Sequence, residues 1–148
     1  MTALRRAQES RQRAACLAAC EFAVATTGIS SSAVVQALQL LRVSQPISAG
    51  LKHDLGTLMQ RLDEEYFDLK EAAEERNASE SEWKRVFSQA RAASALAFAS
   101  NENAFEAATE AIYEATTAVD DREELVGIIL NALDLSQADP GCSSTFNC

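Results

Sequence analysis

The chain has 148 residues, 47% of them hydrophobic and 24% charged, with a formal net charge of −9. That length suits one domain with a real core. The acidity disfavours a nucleic-acid binder, which needs a basic face to replace phosphate counterions, and for the same reason it disfavours docking on anionic membranes.

The charge is unevenly placed. Residues 1–62 carry seven basic against three acidic residues, or +4, whereas residues 63–124 carry 17 acidic against six basic, or −11. Five glycines and two prolines punctuate the chain. So few breakers predict long helices. No window offers the roughly 18 apolar residues a membrane helix needs. The N-terminus sets arginines before an apolar run, but Glu21 interrupts that run and Glu9 sits among the basic residues. An amphipathic first helix of a cytoplasmic protein is the expectation, rather than a secretory signal.

In chain order, the first predicted helix runs from about Ala3 to Thr26 and stops at Gly28. Ser30 to Ser32 offer N-caps for a second, which would bury Val34, Val35, Leu38 and Leu41 and end before Pro46. The third begins near Ser48 or Ala49. Leu51, Leu55, Leu58, Leu62, Tyr66, Leu69 and Ala73 form its seam at alternating four and three spacing. Asn77 and Ser79 each stand three residues before a glutamate, so either could cap the fourth helix. That helix would turn Trp83, Val86, Phe87, Ala90, Ala93 and Ala97 inward. The fifth spans "NENAFEAATEAIYEATTAVDD", Asn101 to Asp121. Asp120 and Glu123 then propose a cap for a sixth, burying Leu125, Ile128, Ile129, Ala132 and Leu133. No segment alternates apolar and polar residues at strand spacing. The fold class is therefore all-α, a single-domain bundle of five to six helices over residues 1–136. Residues 137–148 read as an irregular, cysteine-containing tail that folding does not require. Alanines at the inward positions would let backbones approach closely, with Leu, Phe and Trp filling the gaps.

Candidate chemistry is sparse. A Ser-His-Asp or Cys-His arrangement would need the single histidine, His53, and neighbouring Asp54 points elsewhere on a helix. Glu64, Asp68, Glu71 and Glu75 make an acidic stripe, but the Glu-x-x-His pairs of a di-iron bundle are missing, so a solvated face is expected and a carboxylate metal-dependent enzyme is an alternative. Cys16 and Cys20 share one helix face and read as free core thiols, because a disulfide at that spacing is strained. Cys142 and Cys148 could close a small loop only if oxidised. The chain has no glycine-rich phosphate loop and no nucleophile elbow. The expectation is a protein that binds rather than converts, with no cofactor and no metal.

The binding lead is the fifth helix. Glu102, Glu106, Glu110 and Glu114 recur every four residues with no Lys or Arg between them. Like charges at that spacing cost a helix about 0.2–0.5 kcal/mol per pair. The ridge, with Tyr113 beside it and Asp120 and Asp121 at its end, is a suitable counterpart for a basic protein surface. The competing reading is a face that serves solubility.

The segment "FSQARAASALAFASNENAFEAATEAIYEATTAVDD", Phe87 to Asp121, resembles the all-helical immunity proteins that protect bacteria from polymorphic or contact-delivered toxins. The resemblance rests on the Ala-rich helix "ARAASALAFA", a short Asn-rich turn and the helix "AATEAIYEATTAV", about a quarter of the chain. It implies a cytoplasmic inhibitor that covers the active site of a basic toxin domain. A helical adaptor or regulatory subunit with a non-toxin partner is the alternative.

Overall fold

The computed structural model describes residues 2–76 and 81–137. Among them it is all helical, without strands. Seven helices follow in order: α1 Thr2–Arg6, α2 Glu9–Thr27, α3 Ser32–Arg42, α4 Ala49–Arg76, α5 Ser81–Ala99, α6 Ala104–Ala118 and α7 Arg122–Gln137. The expected caps at Asn77 or Ser79, the 137–148 tail and the cysteines Cys142 and Cys148 lie outside the described residues, save for Gln137.

The count exceeds the expected five to six because the first helix is two. The break falls at Ala7 and Gln8, where no glycine or proline stands. Leu4 turns into the core, 2% exposed, and Gln8 takes an extended backbone. In an unbroken helix the Leu4 carbonyl would accept from the amide of Gln8. Here it accepts from Ala7 N at 3.2 Å and from the buried Gln12 Nε2 at 3.1 Å. A side chain one turn into α2 thus satisfies the carbonyl that the break exposes.

The other boundaries follow local chemistry. Ser31, Ser48 and Asn103 accept, through their side chains, the amides of Val34, Leu51 and Glu106, each three residues on. Asp121, rather than Asp120, caps α7 by accepting from Glu124 N at 2.9 Å. Gly28 ends α2 in the left-handed region at φ 72°. After α3, Ser44 adopts φ 56° without being a glycine. The amides of Ser44 and Gln45 donate to Leu41 and Leu40, the paired bonds of a Schellman stop.

The centre of the bundle is α5. Five consecutive residues, Ala92 to Leu96, are buried, so the helix is covered on every side there. Its neighbours are α4, α6, α2 and α3, and α7 lies against α2. The contacts of α2, α5 and α6 are made largely by alanine: Ala15, Ala19 and Ala23, then Ala90 and Ala93, then Ala107, Ala108, Ala111 and Ala115. Small side chains allow interaxial distances near the short end of about 8–10 Å. The largest fully buried side chains are Leu55, Leu96, Leu125 and Val34. Trp83, Phe87 and Ala97 are only half-buried, against expectation, as are Leu41 and Ile128. Val35 is exposed, because α3 touches the bundle along the narrow line of Val34, Ala37 and Leu38.

The two left-handed stops differ in their chemistry. Ser44→Gly should stabilise the protein by roughly 0.5–1 kcal/mol, because a Cβ is disfavoured in that region. Gly28→Ala should cost about 1 kcal/mol for the same reason, although nothing lies within 4 Å of the added Cβ. Urea unfolding of the two variants checks both signs.

Candidate functional site

α6 is held between α2 and α5 by its alanines, so its opposite face meets solvent. It is shorter than the sequence suggests. Asn101 Oδ1 accepts from Asn103 N in a tight turn and Asn103 then caps the helix, which leaves Glu102 before it. At the other end Val119 is extended, so Asp120 and Asp121 follow the helix. Phe105 and Ile112, expected inward, are half-buried at the margin.

Glu102, Glu106 and Glu110 are exposed, and Tyr113 is 69% exposed on the same side. Glu114 is not part of this face. It is 8% exposed, and its Oε1 accepts from Arg91 Nη1 of α5 at 3.0 Å. Arg91 Nη2 also reaches Asp63 of α4, at 3.3 Å from Oδ1. The reason lies in helix geometry. A four-residue step overshoots a full turn by about 40°, so Glu114 stands roughly 80° around α6 from Glu106. By Glu114 the ridge has wound into the α5 interface. The basic partner that the local sequence lacks comes from 23 residues away.

The remaining ridge is three carboxylates, none of them in an ion pair among the described residues. Asp120 is exposed beyond it, and Asp121 is engaged as a cap. Two cations stand nearby, Arg5 and Arg13: the Arg5 guanidinium lies 4.9 Å from the centre of the Phe105 ring. The Glu102 backbone carbonyl accepts from Arg13 Nη2 at 2.8 Å, and Arg13 Nη1 bonds the carbonyl of Ala99. Arg13 so holds the α5–α6 turn against α2, at the edge of a cleft of about 300 Å³ that also reaches Cys16, Leu41 and Ile47.

The other sequence candidates fall apart from this face. His53 is exposed on α4. Cys16 and Cys20 are buried free thiols, as expected. A hydrogen bond from Cys20 lowers the Cys16 thiol, with burial opposing and Arg13 assisting. The same bond, then burial, pushes Cys20 well up. No group of three or more His, Cys, Asp or Glu among the described residues is arranged to hold a metal. No described helix is long and apolar enough to cross a membrane.

Two outcomes test these placements. Arg91→Met should destabilise by about 3 kcal/mol, because it strands the Glu114 carboxylate in the interior. The double variant with Glu114→Leu should recover most of that loss, as measured by urea unfolding in a double-mutant cycle. For the thiols, native Cys20 keeps its proton above about pH 8.5 while the unfolded chain loses it. Stability should therefore fall as pH rises through the alkaline range, partly offset by Cys16. Cys20→Ala should flatten that fall, and denaturation at pH 7 and about pH 9.5 measures the difference.

No protein-family model matches this chain, and no curated protein or solved structure matches it.

Proposed function

We infer that this chain is a binding protein without chemistry of its own, and that it neutralises a bacterial toxin by covering it in the cytoplasm. The observation that carries this reading is the outer face of α6. Three exposed carboxylates there have no ion-pair partner among the described residues, and an exposed tyrosine stands beside them. Many such toxins act on nucleic acid and present a basic cleft to it. An acidic face opposite that cleft accelerates encounter and sets specificity, and a tyrosine supplies the buried anchor of the complex. The resemblance of Phe87 to Asp121 to helical immunity proteins supports the same partner class.

The experiment is affinity capture of the partner from the native cell, followed by binding kinetics on the captured toxin domain. Replacing Glu102, Glu106 and Glu110 with Gln should slow association and flatten its salt dependence while leaving the free protein as stable or slightly more so. Tyr113→Ala should weaken the complex by on the order of 2 kcal/mol, chiefly through faster dissociation. Unchanged binding and undiminished protection of toxin-expressing cells in both variants would refute this use of α6.

A further inference from the structure

The most acidic surface of the molecule is not on α6. Beyond Leu62, none of the residues of α4 is buried. The half-buried Tyr66 fastens this part of the helix to α5, with its ring 5.7 Å from Trp83 and 5.2 Å from Phe87, centre to centre. Lys70 stacks 5.4 Å over Trp83 and donates to Tyr66 Oη at 3.5 Å. Asp63 is engaged by Arg91. The inner side of this stretch is thereby satisfied.

The outer side is not. Glu64, Glu65, Asp68, Glu71, Glu74 and Glu75 are all exposed, and among the described residues none is in an ion pair. Several stand three or four apart, a spacing at which like charges destabilise a helix. Phe67 lies among them, 65% exposed, with Glu64, Glu71 and Glu74 on its own face at three, four and seven residues. Among the described residues its ring meets only that of its chain neighbour Tyr66. Solubility accounts for carboxylates, but it does not account for a phenyl ring held out in their midst. Interfaces concentrate energy in aromatic anchors ringed by polar groups.

We propose that the outer face of α4 from Glu64 to Glu75 is a docking surface for a basic protein that carries an apolar recess for the Phe67 ring. Charge complementarity names the occupant. Six carboxylates, none of them in an ion pair among the described residues and with Arg61 lining the groove of Glu64, Glu65 and Asp68, leave an excess of negative charge that selects a cationic surface and repels nucleic acid. This extends the binding reading to a second face and shares only its partner class, a basic protein.

A phage-displayed library of random peptides, panned on the full-length protein, tests the surface without a toxin. The recovered peptides should be rich in Lys and Arg around an apolar residue. A synthetic copy of the most enriched one should lose roughly tenfold in affinity on Phe67→Ala, as an anchor does. It should also lose affinity and salt sensitivity when Glu64 and Glu71 become Gln. Exchanging Glu106 and Glu110 for Gln should leave it unchanged. Peptides without a positive bias, or peptides indifferent to the Phe67 and Glu64/Glu71 changes, would overturn the proposal. So would a concentration-dependent dimer in light scattering that Phe67→Ala disperses, since the occupant would then be a second copy. Undiminished toxin protection by the α6 variants, together with peptides mapped to α4, would sink the α6 reading and leave this one standing.

Discussion

Alanine at the helix contacts is the constraint on which the rest of the structure depends. Where α2, α5 and α6 meet, the side chains are mostly single methyl groups, and α5 is covered on all sides from Ala92 to Leu96. Helices this close leave little room for large side chains, so the big residues are displaced. Leu55 and Leu96 fill the α4 side, Leu125 serves α7, and three aromatic residues, Tyr66, Trp83 and Phe87, gather toward the start of α5, where the cover thins. A core of small residues buries less apolar area per residue than one of leucines. Its compensation is dense contact and low side-chain entropy cost, since alanine has no rotamers to lose.

That closeness also explains the charged pair at the α5–α6 contact, the half-buried Arg91 with the buried Glu114. Arg91 leaves α5 between α4 and α6, reaching Glu114 on one side and Asp63 on the other, with Phe87 beneath its guanidinium at 5.7 Å. A buried pair of this kind is weak evidence for stability, but it discriminates strongly against other arrangements of the helices. Alanine contacts are alike along a helix and specify rotation and register poorly. An arginine that must find two carboxylates specifies both.

Much of the fold was legible in the sequence. The leucine seam of α4 and its start near Ser48, the serine cap before α3, and the stop at Gly28 all rest on local chemistry, and they stand as read. The misreadings share a cause in tertiary contact. The break at Ala7 and Gln8 has no breaker in the sequence, because its reason is the burial of Leu4 and the reach of Gln12. Val35 looks inward by periodicity, but α3 leans on the bundle along too narrow a line to cover it. Of the candidate site, the exposed carboxylates Glu102, Glu106 and Glu110 were readable from spacing. The departure of Glu114 follows from the winding of the helix, but its partner Arg91 is visible only in the fold. Phe67 carried no signal: an aromatic residue beside Tyr66 in an acidic run reads as seam or surface alike.

The covering of α5 on every side has a consequence for how this chain can vary. From Ala92 to Leu96 any added atom meets a neighbouring helix, and overpacking of that kind typically costs about 1–3 kcal/mol. On the outer faces of α4 and α6 an added atom meets water. Substitutions that redirect the surface chemistry are thus nearly neutral for folding, and substitutions that threaten folding hardly touch the surface. A lineage built on this scaffold can change the charge and shape of its outer faces by drift, with an unchanged axis at the centre.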